Sequence, residues 1–558
     1  MPERQTSRTA RLRRGRLLAA AAALVGVLLA CAPGSPPRDA SSVAGGDAAA
    51  SSPKTGGSFT YAMSRDVTRK GLDPNVGGGQ PDIVLWMQLF DTLLYQDPRD
   101  QTITPGLAER WEVSEDGRVY TFHLRQDVKF HDGTPLDAAA VKFTFDRILD
   151  PSNPGISRQQ LAEVQSAEVV DDYTVRVTLR NPQPIFPLRL TRPHTSIVSP
   201  SAVRALGAEE FGRQPVGSGP FILQEWVPGD RFVLRRNPDY HWGPPFAKHP
   251  GPAYLDTLTI RVIPEASVRA AALDSGEVDA IEFVPPQELQ RLKDSSAYRV
   301  LTTKRAGGPI VLHLNVELPP TDDLAVRRAL LVGVDRETIN QTAYLGAQFP
   351  ALGFLQPQMY GYDASLEPRF AYDPEAAKRL LDAAGWRPGP DGIRVRDGRP
   401  LELKGIFQGS PALPFELLQA QWRALGVKLD IQTVNAAGYL EAGDRGLGNV
   451  YGEVAGGFTN EDPDLLRLIY SCESVGGRNY SRYCNPEFDR LAKEAYMTPF
   501  GEQRIVLYHQ MQQRLLDDAV AVPFIGDNVH VGLRASAHDL WMNSLGLYPV
   551  FLDTWLDR

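Results

Sequence analysis

From about residue 58 onward, segments with an apolar period of two alternate with helical segments that carry their own start and stop signals. That interleaving confines the chain to an α/β or α+β architecture. Tyr120, Phe122 and Leu124 share one face of a strand over 119–124, with Thr121 and His123 on the other. Tyr173, Val175, Val177 and Leu179 repeat the pattern after the turn pair Asp171-Asp172, and Leu258, Ile260 and Val262 repeat it again. Asp373 is placed to cap a helix that opens on Pro374. Its apolar stripe is Ala377, Leu380, Leu381 and Ala384, and Gly385 is its stop. Asn485-Pro486-Glu487 gives the same start signal ahead of Phe488, Leu491, Ala492 and Ala495. Ile505, Tyr508, Met511 and Leu515 mark a further helix. No internal repeat interrupts the alternation. The span is too long for one hydrophobic core, so two or three domains are expected.

The N-terminus follows other rules. Arg4, Arg8, Arg11, Arg13, Arg14 and Arg16 precede an unbroken apolar run from Leu17 to Ala30. As a helix that run reaches only ~21 Å, short of a hydrocarbon core of about 30 Å, and it fits a cleaved export signal over 1–30. Leu28-Leu29-Ala30-Cys31 resembles the lipobox of bacterial lipoproteins, where the cysteine is diacylated and begins the mature chain. An ordinary signal peptide with a chance cysteine is the alternative. Two acyl chains hold a protein on a bilayer where one does not. Residues 32–57 carry almost no bulky apolar group. They cannot offset their own ordering entropy, so 31–57 reads as lipidated Cys31 and a flexible tether.

Several function classes lose ground. A net charge of −8 argues against a nucleic-acid partner. The nine histidines are scattered, with no H-E-x-x-H or comparable cluster. Gly217-Ser218-Gly219 is not the G-x-S-x-G elbow, and Gly77-Gly78-Gly79 lacks the context of a phosphate loop. No catalytic residue, metal site or cofactor is expected. If Cys31 carries lipid, Cys472 and Cys484 are left in an oxidising compartment, either as a disulfide or as two free buried thiols.

One long segment is more specific. Leu107 to Arg147 reads LAERWEVSEDGRVYTFHLRQDVKFHDGTPLDAAAVKFTFDR, a DG hairpin and a second DG turn feeding a helix. It resembles the signature of the extracytoplasmic solute-binding proteins of ABC importers in family 5, the dipeptide, oligopeptide and nickel binders. Supporting pieces follow in the family's order: FDTLLY at 90–95, PVGSGPF at 215–221, LDSGEVD at 273–279, YDPEAAKRLLDAAGW at 372–386 and the stretch 479–495. The resemblance implies a bilobed type II periplasmic-binding-protein fold of two α/β lobes, a hinge and an inserted subdomain. It places the first lobe at 58–98, 213–307 and 523–558, the insertion at 99–212 and the second lobe at 308–522. It implies a monomeric, exported, membrane-anchored binder facing the periplasm or the cell exterior. Its partners are the bilayer, a membrane permease with cytoplasmic ATPases, and a short peptide or other small solute. An oligosaccharide, a metal chelate or an opine-like compound is the alternative to a peptide, and an exported hydrolase a more distant one.

In dipeptide-binding relatives an Asp holds the ligand amine and an Arg its carboxylate. An ungapped match puts Thr459 at the Asp position, within Phe458, Thr459, Asn460 and Glu461, ahead of Asp462-Pro463-Asp464. Glu461 or Asp462 substitutes if the loop is shifted. Phe458 reads as a stacking wall or as packing, and Arg478, next to Asn479, as the carboxylate contact or a solvated loop arginine. Arg65, in the loop after the first strand, faces the cleft in this reading. In the dipeptide and glutathione/haem-binding branch the cysteines equivalent to Cys472 and Cys484 form a disulfide.

Overall fold

The computed structural model describes residues 52–557 except 69–70, 154, 156, 410–412 and 454–461. The expectations for the signal segment, for Cys31 and for Phe458, Thr459, Asn460 and Glu461 lie outside the described residues.

Two large mixed sheets carry the architecture. In chain order, the strands that matter most are β1 (Ser58–Met63), β2 (Thr257–Val262), β3 (Ala280–Ile281), β4 (Tyr298–Lys304), β5 (Ile310–Leu314), β6 (Glu402–Gln408), β7 (Lys428–Val434), β8 (Val450–Glu453), β9 (Ala521–Gly526) and β10 (Asn528–Arg534). The first sheet has seven strands in the order β4, β10, β3, β1, β2, then Arg231–Arg236 and Phe221–Val227. The second has six, in the order Phe349–Pro350, β9, β5, β8, β6, β7. Each sheet with its helices makes one lobe.

A four-stranded antiparallel sheet is set into the first lobe, in the order Ala108–Val113, Val119–Leu124, Thr174–Leu179, Val164–Asp171. Helix Ala138–Leu149 follows its second strand and buries Val141, Phe145 and Ile148. Asp137 caps that helix, accepting the Ala140 N–H at 2.9 Å. The long signature thus builds this subdomain and its brace to the main sheet. Asp132 accepts from Thr134, Ser199 and Ser201, and half-buried His131 donates through Nε2 to the Gly219 carbonyl at 3.0 Å. Gly217 and Gly219 pack on the backbone at Leu89, where any Cβ would clash.

The expected caps are in place. Asp373 accepts the Ala376 N–H at 2.7 Å at the head of helix Pro374–Ala383, and Asn485 accepts from Glu487 and Phe488 at the head of Pro486–Met497. The latter helix buries Phe488, Leu491, Ala492 and Ala495, its predicted stripe.

The chain passes between the sheets twice. The outward passage is 305–309, between β4 and β5, and the return is Asp527, between β9 and β10. All of β9 belongs to the six-stranded sheet, so the return falls a few residues after the boundary expected at 522. The passages lie side by side. The Arg305 N–H donates to the Asp527 carbonyl at 3.0 Å, and their side chains form an ion pair at 3.4 Å.

Candidate functional site

Strand direction locates the site. In the first sheet β1 runs parallel to β2 and to β3, so their carboxyl ends share one edge. β10 is antiparallel to β3, with Ile281 opposite Gly532, so its start at Asn528 lies beyond that edge. In the second sheet β6 runs parallel to β7 and β8. β5 is antiparallel to β8, with Leu312 opposite Gly452, so its start at Ile310 lies beyond the carboxyl end of β8. Both sheets therefore turn the carboxyl ends of their parallel strands toward the two passages. The region beside the passages is bordered by carboxyl ends from both lobes, the position where open α/β sheets take ligands.

On the first-lobe edge, β1 leads into Ser64, Arg65 and Asp66, and β3 into Glu282 and Phe283. Arg65 is exposed on this turn. Glu282 is 8 % exposed, and its Oε1 accepts both the backbone N–H and the hydroxyl of Ser64 at 2.5 Å. Burial pushes its carboxyl above the usual range, while the Ser64 bonds and the nearby Arg269 and Arg65 pull it back. Beside Arg65 a groove of about 1190 Å³ opens, lined by Asp66, Thr68, His131, Glu210, Arg213 and Trp226.

On the second-lobe edge, β7 leads into Asn435, which caps helix Ala436–Asp444 by accepting the Gly438 N–H at 2.8 Å. β8 leads into 454–461, and the chain is described again at Asp462. Asp462 does not face a solute. It is 3 % exposed, and its carboxylate pairs at 3.0 Å with Arg504, which is fully buried under Phe500 and Tyr508. That removes Asp462 as a substitute for the missing amine-holding Asp. Two residues on, Asp464 holds Arg467 through two bonds of 2.8 Å, and the Arg467 guanidinium also reaches Glu473 and lies 4.8 Å from the Tyr496 ring centre.

The other candidates fall on the next loop. Cys472 and Cys484 are joined by a disulfide, with their Cα atoms 4.4 Å apart. Asn479, inside that loop, is 1 % exposed. Both of its amide protons go to backbone carbonyls, of Ser471 at 2.9 Å and Tyr483 at 2.8 Å, and its oxygen accepts from Ser481. Asn479 thus shapes the loop and has no donor left for a ligand. Arg478 is exposed beside it. Arg65 stands on the first-lobe edge and Arg478 on the second lobe.

Sequence reasoning missed Glu282. The available signal was a carboxylate within the apolar run Ala280-Ile281-Glu282-Phe283-Val284. It also missed a contact between the inserted subdomain and the second lobe. Buried Gln183 donates through Nε2 to the Tyr496 hydroxyl at 2.9 Å. Among the described residues, no group of three or more His, Cys, Asp or Glu is placed to hold a metal ion, and no helix is long and apolar enough to cross a membrane.

Comparison with known proteins adds independent findings. The model of the bacterial extracellular solute-binding proteins, family 5 (middle part), matches residues 102–477. A dipeptide-binding protein of Escherichia coli K12 is 31 % identical over 476 residues, covering 80 % of this chain and 84 % of its own. Heme-binding protein A of Haemophilus influenzae is 31 % identical over 465 residues, covering 78 % and 81 %. The solved structure of HbpA2 from Haemophilus parasuis superposes with a TM-score of 0.80 at 28 % identity, covering 90 % of this chain and all of the other.

Proposed function

Because the chain belongs to the bacterial extracellular solute-binding proteins of family 5, we propose that it captures a peptide-like solute between its lobes and delivers it to the membrane permease of an ABC importer. The family is one of substrate-binding proteins rather than enzymes. The observation that carries the reading is the convergence of both sets of carboxyl ends on one pair of chain passages. Rotation about 305–309 and Asp527 brings the two edges together. A solute that touches both edges has more contacts in the closed arrangement, so binding shifts the population toward closure. The solute leaves unaltered, and energy comes from the permease's ATPases.

In this reading Arg65 contributes from the first lobe and Phe458, Thr459, Asn460, Glu461 and Arg478 from the second. Asn479 and the disulfide hold the loop that carries Arg478. The first lobe comprises 58–98, 213–307 and the C-terminal segment, with 99–212 inserted. Cys31 is the lipid-bearing residue of an otherwise monomeric, exported protein, tethered by 32–57. Mass spectrometry of the mature N-terminus, and release from membranes by Cys31→Ala, test the anchor.

A thermal-shift panel of di- and tripeptides, with scattering on the same samples, tests the function. A peptide at 100 times its Kd stabilises the protein by about 2.7 kcal/mol. Binding should also shrink the radius of gyration. Peptides that neither stabilise nor compact the protein, while another solute class does both, would favour the second reading. That reading keeps the fold and exchanges the peptide for an oligosaccharide, a metal chelate or an opine-like compound. Thr459 at the amine-holding position motivates it.

A further inference from the structure

We propose that Glu282, on the first lobe, is the carboxylate that receives the positive charge of the bound solute. The inference rests on the peptide reading above and deepens it by naming the amine contact.

Three observations support the assignment. Position is the first: Glu282 directly follows β3, on the strand-end edge that faces the two passages, and its N–H still continues the strand by donating to the Ala62 carbonyl at 3.0 Å. The second is an incomplete set of partners. A carboxylate this buried is ordinarily paired with a cation or fully hydrogen-bonded. Here Ser64 occupies Oε1 alone, and among the described residues Glu282 has no ion pair and Oε2 no hydrogen bond. Arg269 is close, but it spends Nη1 on the carbonyls of Ile263 and Pro264. Third, the next residue, Phe283, has φ 48, a left-handed conformation that costs a bulky side chain energy. The chain bends at Glu282 and Phe283, and the Val284 N–H is then tied to the His530 carbonyl at 3.0 Å, so this strained link is held on both sides and constrains where the carboxylate sits.

The second lobe supplies the reason a first-lobe carboxylate is needed. Thr459 stands where relatives carry the amine-holding Asp, and Asp462 is committed to Arg504. An ammonium approaching Oε2 gains a charge-assisted bond in a desolvated place, where such bonds are strongest.

The test is calorimetric titration of Ala-Phe and N-acetyl-Ala-Phe into the wild-type protein and into Glu282→Gln and Glu461→Gln. Wild type should bind the free amine about 10- to 100-fold more tightly than the acetylated peptide, the range expected for one charged hydrogen bond. Glu282→Gln should abolish that preference and leave affinity for N-acetyl-Ala-Phe nearly unchanged. Full preference retained in Glu282→Gln overturns the proposal, as does a preference lost only in Glu461→Gln. Equal affinities in wild type overturn it without any variant, which covers the case of Glu282→Gln failing to fold. If wild type binds neither peptide, the peptide reading falls first and this inference with it.

Discussion

The bond between Gln183 and Tyr496 joins the inserted subdomain to the second lobe, outside the two chain passages, so it acts as a latch on the joined arrangement. Tyr496→Phe removes only the hydroxyl. When the lobes separate, water replaces each partner, so the bond favours the joined state by its net worth in water, about 0.5–1.5 kcal/mol. Gln183 is buried, and leaving its amide without an acceptor moves the cost toward the upper part of that range. At about 1 kcal/mol, the ratio of joined to separated molecules falls about fivefold. If the ligand-free protein is mostly open, the apparent Kd of a solute that needs the joined form rises by about the same factor. If it is mostly joined, the loss shows as a larger radius of gyration without solute. Titration calorimetry and small-angle scattering separate these cases. At saturation the two proteins should scatter alike. Gln183→Leu and the double variant complete a cycle with a coupling of about 1 kcal/mol. Unchanged Kd, unchanged scattering without solute and zero coupling, taken together, would refute the latch.

Three further outcomes follow from the described contacts. Arg504→Met leaves the Asp462 carboxylate buried without its cation and should cost about 3–5 kcal/mol in chemical denaturation, with much of the loss recovered by adding Asp462→Asn. Reducing the Cys472–Cys484 bond, which closes a loop with a sequence separation of 12, should lower stability by ~3 kcal/mol, and Cys472→Ser should match it and abolish the response to reductant in thermal melts. Burial lowers His313 from 6.5 to about 4, so between those pH values the unfolded chain takes up a proton that the folded protein refuses. Wild-type stability therefore falls with falling pH by at most ~1.4 kcal/mol per pH unit from this group, and the stability gap to His313→Asn should narrow across that window.

Local chemistry made much of the fold legible. The capping oxygens of Asp373 and Asn485, the prolines that follow them and the alternation at 119–124 act within a few residues, so the sequence shows them directly. The passage at Asp527 was harder to read. Gly526-Asp527-Asn528 looks like an ordinary turn between two apolar strands, and nothing local says that those strands join different sheets. Candidate contacts suffered from the same limit. Asp462 and Asn479 are polar residues beside glycine-rich stretches, a common composition for binding loops. Their side chains turn inward because Arg504 lies 42 residues away and the carbonyl of Ser471 lies 8 away, partners that only tertiary structure supplies. Arg65 needed less: it follows the first strand, and a strand's carboxyl end can be read from sequence.

The side-by-side passages also bear on how such a protein can be rebuilt. The polypeptide departs for its second half and comes home within a single amide-to-carbonyl contact, between Arg305 and Asp527. That half is consequently a cassette with adjacent ends. A homologous cassette spliced at the same two points meets the seven-stranded sheet through two short seams and leaves its strand order untouched. Chimaeras of this kind could exchange half of the recognition surface in one step while keeping the other half intact.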